Sequence, residues 1–400
     1  MHAHPMRIEN FRYTERFGSV IMRDVQKVLE LDSGQINGEE VPDTFASRQV
    51  DESVLKDIER QMAIVIPTKN EKLRLFDGVL SGVPHECMKI IVSNSEQEHF
   101  NRFAMERETL KQYCQYTKNR AFILHQKDPV VVKALEAADY TALLDEDGTV
   151  RDGKAEGMVL GILLAKVFGK KYIGFIDADN YFPATVLEYV RSYAAGFSMA
   201  RLPAVMVRIL WHYKPKVLGE GLYFKKWGRV SRVTNRCINS LISVNTGFET
   251  DVIKTGNAGE HAMSMELADI LPYASCYAIE PQELISIFEH HGGVHDVNAT
   301  YPADGGIEIF QIETRNPHLH EEKGGDHLKD MLRSGLGAVY HSPLCQEETK
   351  DLIRDELGRQ EVLEAGQEPP PPLIIPPPST AKFEEFQAYI ENRLELFTVP

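Results

Sequence analysis

The stretch KKYIGFIDADNYFPA, residues 170–184, decides how the rest of the chain is read. An apolar, β-rich run ends in two carboxylates one residue apart, Asp177 and Asp179. If the strand continues through them, alternate side chains point the same way and both acids fall on one side. Two ionised carboxylates that close repel unless a cation sits between or beside them. Hard oxygen ligands favour Mg²⁺ or Mn²⁺, and Mg²⁺ commonly joins a few carboxylates to substrate phosphates. The pair therefore points to a divalent ion carrying a diphosphate. Surface Asp-x-Asp pairs are common, so the weight of this one comes from its setting.

Upstream, DESVLKDIERQ (51–61) has helical spacing, with Val54, Leu55 and Ile58 on one side. MAIVIPTKNE (62–71) is a short β-branched run stopped by Pro67, and it reads as a buried parallel strand. MKIIVSNS (88–95) and RAFILHQKD (120–128) repeat the pattern. Between them EQEHFNRFAMERETLKQYCQY is helical, with Phe100, Phe103, Leu110 and Tyr113 expected on the inner face. RDGKAEGMVLGILLAKVFGKKYIGFIDAD then supplies loop, helix and strand. Strands alternating with helices predict an α/β fold, a Rossmann-like, mostly parallel sheet with helices on both faces. Ligands of such sheets bind beyond the carboxyl ends of the strands. Here those ends carry Thr68, Lys69, Asn70 and Glu71; Ser93 and Asn94; Gln126, Lys127 and Asp128; and Asp177 and Asp179. One site at one sheet edge is expected.

The 400 residues are 43% apolar, enough for one large core or two moderate ones. No window holds the roughly 18 consecutive apolar residues of a membrane helix, and the charged first residues lack the apolar middle of a secretory signal. A cytoplasmic protein without a membrane role is expected. Cys87, Cys114, Cys237, Cys276 and Cys345 are scattered, which suits reduced, mostly buried thiols. A net charge of −15 argues against nucleic acid as a partner. An anionic ligand would need positive charge concentrated locally.

Four further segments carry candidate chemistry. In ETRNPHLHEEKGG (313–325), His318 and His320 would point the same way in an extended chain, and an imidazole completes a mixed Asp/His metal site. KKWGRVSRVTNR (225–236) gathers Lys225, Lys226, Arg229, Arg232 and Arg236 with Ser231 and Thr234, a set suited to phosphate or carboxylate, although a solvated helix face is the ordinary reading of a charge run. DGKAEG (152–157) opens a helix, where backbone N–H groups and Lys154 could hold anionic oxygens. GNAGEHAMSME (256–266) is a Gly-rich turn running into a helix that carries Glu260 and His261.

Taken in order, PTKNE, DGKAEG, DADN, RVTNR, GNAGEHAM and QIETRNPHLHE resemble the mannosyl-3-phosphoglycerate synthase family over about residues 8 to 340. The resemblance implies a retaining glycosyltransferase of the GT-A fold, with GDP-mannose as donor, 3-phosphoglycerate as acceptor, and Mg²⁺ or Mn²⁺. It places Pro67, Thr68, Glu71 and Ser93 along the nucleotide and Lys154 on the donor phosphate. Asp179 and His318 match the metal ligands, and Asp177 and Ala178 lie near nucleotide and sugar. Glu260 falls beside the sugar, so that Asp177, Asp179, Glu260 and Lys154 form the catalytic set. Ser231, Arg232, Val233 and Thr234 match the acceptor's phosphate loop, with His320 assigned to the acceptor as well.

The implied organisation is an N-terminal extension (1–60), a nucleotide-sugar-binding half (61–182), and an acceptor-binding, metal-completing half (183–345). A helical segment (346–367), a Pro-rich linker (368–380) and an amphipathic helix (381–400) follow, with Phe383, Phe386, Tyr389 and Ile390 as its apolar stripe. A homodimer is expected. Two rival activities are a glucosyl-3-phosphoglycerate synthase using another nucleotide sugar and a sugar-nucleotide nucleotidyltransferase. The second usually carries a Gly-rich basic loop after its first strand, where this chain has PTKNEKLR.

Overall fold

The computed structural model describes residues 6–31, 44, 46–98, 100–211, 214–218, 221–225, 229–294, 305–320, 325–364, 367–393 and 398–399. Within them the first strands are β1 (Met6–Glu9), β2 (Thr14–Phe17), β3 (Val20–Glu30), β4 (Ser47–Val50), β5 (Met62–Thr68), β6 (Met88–Ser93), β7 (Ala121–His125) and β8 (Tyr172–Phe175). They continue as β9 (Ala204–Trp211), β10 (Lys214–Leu218), β11 (Gly221–Lys225), β12 (His261–Ser264), β13 (Tyr273–Ala274), β14 (Ile307–Thr314), β15 (Ile374–Ile375) and β16 (Thr398–Val399). The helices are α1 (Glu52–Arg60), α2 (Leu73–Gly82), α3 (Arg102–Thr117), α4 (Pro129–Ala137), α5 (Lys154–Val167) and α6 (Pro183–Met199). After these come α7 (Arg229–Thr246), α8 (Met265–Ile270), α9 (Ile279–His291), α10 (Gly325–Tyr340), α11 (Glu347–Arg359) and α12 (Phe383–Glu391).

One mixed sheet runs β16-β7-β6-β5-β8-β12-β9-β14-β3-β1-β4, with β2 beside β3. β7, β6, β5 and β8 are mutually parallel, and chain order reverses between β5 and β8. A crevice at such a reversal is where open α/β sheets bind ligands. β12 runs against both β8 and β9, and β14 runs with β9. The carboxyl ends of β5 to β9 and of β14 therefore share one edge, and the start of β12 joins them there.

Side-chain alternation sends β5 into two cores. Ala63 and Val65 pack with α4, α5 and α9, while Met62, Ile64 and Ile66 pack with α1, α2 and α6. Helices thus cover both faces, as the α/β pattern predicts. Pro67 does not stop β5, which runs on to Thr68. The carbonyl of Val65 accepts from Ile176 N–H, so Pro67, two residues on, faces the same flank just beyond the last β8 pairing at Phe175. Its missing N–H costs no ladder bond there. Two other expectations fail. Val54 is exposed, and Phe100 is exposed and precedes α3, whose start is fixed when Asn101 Oδ1 accepts from Ala104 N–H at 2.8 Å.

The Pro-rich stretch is extended and lies against the body. Ser275 N–H donates to Leu373 O (2.9 Å), His341 Nε2 lies 2.7 Å from Pro369 O, and β15 pairs with β13. In α12, Phe386 and Ile390 are buried, with Phe383 and Tyr389 packed beside them, and Lys382 N–H ties the helix to Ala138 O at 2.8 Å.

α5 must approach β5 closely to bring Lys154 to the edge, and Gly161 permits it. A Cβ there would lie 2.5 Å from Val65 Cγ1. Gly161→Val should therefore lower stability by about 1–3 kcal/mol, the usual cost of overpacking, read as a drop in thermal or urea midpoint. An unchanged midpoint would show that the helix–strand contact is loose.

Candidate active site

β8 ends at Phe175, and Asp177–Asn180 form a turn rather than more strand. Strand alternation therefore does not orient the two acids. Asp177 meets a lysine. Lys154, the first residue of α5, places Nζ 2.7 Å from Asp177 Oδ1 and 2.9 Å from Glu280 Oε1. Burial alone would lower the ammonium's pKa, but the two carboxylates outweigh it and hold Lys154 well above its ordinary value. Gly259 makes room for this pair, since a Cβ there would sit 3.0 Å from Asp177 Oδ2 and 3.4 Å from Lys154 Nζ.

Glu260 and His261 do not lie on a helix. His261 opens β12, bridging β8 and β9 in the middle of the sheet, and the helix begins only at Met265. Ladder bonding on both flanks overrides the helical look of the sequence. Ile209 N–H donates to Glu260 O at 3.1 Å, which sets Glu260 at the crevice. Its buried carboxyl accepts from Asn180 Nδ2 at 3.0 Å through Oε1, while Oε2 has no hydrogen-bond partner among the described residues. Burial, then the charges of Asp177 and Asp179, push Glu260 up to about 8 against the pull of Asn180 and Lys154. Asn180 also donates to Asp177 O at 2.9 Å, tightening the turn. Asp179 is buried within it, and Ala178 packs into the core below.

Helix α6 holds the segment after β14. Glu188 accepts from Arg315 N–H (2.6 Å), Asn316 N–H (2.8 Å) and Asn316 Nδ2 (2.7 Å), and Thr185 Oγ1 donates to Pro317 O at 3.1 Å. Tyr189 Oη lies 2.8 Å from His318 Nδ1. Trp211, at the end of β9, stacks on His318 with ring centroids 4.0 Å apart and 12° between planes. The ring of His320 lies 5.2 Å from that of His318. Tyr181 N–H donates to Leu319 O at 3.0 Å, which joins the Asp179 turn to the His318 segment.

Among the described residues no three of His, Cys, Asp and Glu gather into a cation cage. Asp179 and His318, on segments joined by the Tyr181–Leu319 bond, nevertheless suit an ion that takes its other ligands from substrate and water, as Mg²⁺ and Mn²⁺ do.

Of the residues expected along the nucleotide, Pro67 and Glu71 are half-buried and Thr68 is buried. Arg102 Nη2 donates to Glu71 O at 2.7 Å. Ser93 is buried, and its hydroxyl is committed to Glu106 at 2.7 Å, alongside Ser95 at 2.6 Å. The other strand tips brace the loop before Lys154. Asn94 donates to Asp152 (2.9 Å), which also meets Lys127 Nζ at 3.1 Å.

The acceptor candidates lie in the first turns of α7, not on a loop. Ser231 lines a cleft with Trp211, Lys254, Thr255 and Asn257, and Arg232 is exposed beside it. Val233 is buried in the core with Cys237 and Ile238, because helical periodicity turns it inward. Thr234 is buried, and its Oγ1 has no partner among the described residues. Arg236 lies 3.7 Å from Glu356. Lys226, the side chains of Lys225 and Arg229, and residues 321–324 lie outside the described residues.

Glu280, Asn180, Tyr189 and Trp211 belong to the site's framework, and sequence reasoning missed them. Asn180 stood inside DADN and was legible as a turn residue; the other three reach the site from distant segments without a motif.

Residues 11–390 match the mannosyl-3-phosphoglycerate synthase family. The mannosyl-3-phosphoglycerate synthase of Pyrococcus furiosus is 45% identical over 384 residues, 96% of each chain. That of Aeropyrum pernix is 36% identical over 344 residues, 86% of this chain and 87% of its own. A solved glucosyl-3-phosphoglycerate synthase from Mycobacterium tuberculosis, in complex with phosphoglyceric acid, shares 16% identity at a TM-score of 0.47, covering 73% of this chain and 85% of its own. On the extent and identity of the first two matches, the chain belongs to the mannosyl-3-phosphoglycerate synthase family.

Proposed function

We propose that this enzyme moves mannose from GDP-mannose to the 2-hydroxyl of 3-phosphoglycerate with retention, giving mannosyl-3-phosphoglycerate for the synthesis of mannosylglycerate, a compatible solute. The observation that carries the reading is the 45% identity to a synthase of that name across 96% of both chains. The crevice assembled from Lys154, Asp177, Asp179 and Glu260 supports it.

Pro67, Thr68, Glu71 and the Ser93 strand end line the nucleotide. Lys154 presents a fixed positive charge to the donor diphosphate. Asp179 and His318 would hold Mg²⁺ or Mn²⁺, which when bound supplies Lewis-acid neutralisation of the departing phosphate. Asp177, already balanced by Lys154, stays with nucleotide and sugar. Glu260, hydrogen-bonded to Asn180, lies beside the sugar, and front-face attack is favoured over double displacement. The acceptor oxygen then bonds to the anomeric carbon as the carbon–phosphate oxygen bond breaks, and its proton passes to the leaving phosphate oxygen. Ser231, Arg232 and Thr234 hold the acceptor's phosphate at the start of α7, with His320 nearby.

The direct test is incubation of the protein with Mg²⁺ or Mn²⁺, GDP-mannose and 3-phosphoglycerate. GDP release is expected, with a product that NMR shows to keep the donor's anomeric configuration. Turnover only with another sugar nucleotide, or release of diphosphate, would overturn the substrate assignment, and an inverted centre would overturn retention.

Asp179→Ala should cut kcat about 100-fold or more while the circular dichroism spectrum stays native, because the Lewis-acid contribution is worth several kcal/mol. Near-normal activity would misplace the metal. Arg232→Ala should raise KM for 3-phosphoglycerate about tenfold or more, the value of a charged hydrogen bond, and leave KM for GDP-mannose nearly unchanged. Equal rises in both constants would contradict an acceptor role.

A further inference from the structure

Lys154 is gripped from two sides, and only one of them was visible in the motifs. Asp177 lies 2.7 Å from its Nζ and Glu280 lies 2.9 Å away. Glu280 sits in the first turn of α9, with its side chain only 6% exposed. It is fixed from beneath by Arg208, whose Nη2 donates to Glu280 O at 3.0 Å. The same guanidinium meets Glu283 Oε2 (3.0 Å) and holds Thr255 O (2.9 Å) at the head of the turn that leads to Glu260. Arg208 and Glu283 are fully buried.

A lysine is a compact charge on a flexible four-carbon stem, and one carboxylate leaves it free to swing. Two carboxylates on different elements fix its position. With Asp177 alone, Nζ would settle fully onto that acid, away from where phosphate charge develops. Preorganised charge contributes to a reaction only if it need not be moved into place.

We propose that Glu280 is a positioning residue: anchored by Arg208, its carboxylate holds the Lys154 ammonium at a set point between Asp177 and the donor's diphosphate. This rests on the reading of Lys154 as the donor-phosphate lysine.

A double-mutant cycle tests it. Glu280→Ala should lower kcat about tenfold or more, with KM for GDP-mannose changed less than about threefold. Glu280→Gln, whose amide oxygen can still accept from Lys154, should recover most of the loss. In a Lys154→Met background, Glu280→Ala should change kcat less than about twofold, since its route to the reaction is gone. Equal losses in both backgrounds would mean that Glu280 acts through the fold, and wild-type kcat in Glu280→Ala would mean that it does nothing; either overturns the inference. Should Glu280→Ala fail to fold, Glu280→Met, which keeps the side-chain volume, carries the same cycle. Binding of GDP and GMP to Lys154→Met separates this inference from its premise. If the preference for the diphosphate is lost, a failed cycle counts against Glu280 alone. If that preference is unchanged, the Lys154 assignment falls and the inference with it.

Discussion

Three acids, Asp177, Asp179 and Glu260, crowd one crevice, and the ammonium of Lys154 makes that crowding tolerable. Unopposed carboxylates at such range cost several kcal/mol in a partly dry setting, as Coulomb's law with an intermediate dielectric indicates. The chain meets this cost in two ways. It places a lysine against Asp177, and it lets burial favour the protonated form of Glu260. The division of labour within Asp-x-Asp follows from what stands beside each carboxylate and not from their spacing.

The sheet makes this arrangement possible by being mixed. Parallel strands β5 to β9 and β14 deliver their carboxyl ends to one edge, and β12, reversed between β8 and β9, delivers its beginning to the same place. Glu260 therefore enters from the opposite chain direction, between the Asp177 turn and the Trp211 end of β9. Helix α6 then carries the frame across the crevice. Its residues follow directly from the DADN turn, and Thr185, Glu188 and Tyr189 secure the His318 segment. The two proposed metal ligands are thus held by one helix although they lie far apart in sequence.

Much of this could be read from the residues. The β-branched runs and the helices between them marked β5 to β8 and their polar tips, and DADN, DGKAEG and the histidine segment fall at the same edge. Fine geometry was not legible. Alternation along a strand suggested co-aligned acids, but the strand ends at Phe175 and a turn sets their directions. GEHAM looked helical because its composition is helical, and pairing on both flanks made it a strand. Val233 looked like a binding residue beside Arg232 and Thr234, yet a helix turns it into the core. Glu280, Tyr189 and Trp211 each reach the site through tertiary packing, which has no local signature.

The margins of the sheet have their own consequence. A wide sheet invites a second chain to zip onto any bare flank, since unpaired N–H and C=O groups form a ready template. Here β7 is covered by the two-residue β16, and the opposite border is the four-residue β4. Strands so short give an intruding molecule almost nothing to register against. A net charge of −15 adds mutual repulsion between copies to this protection.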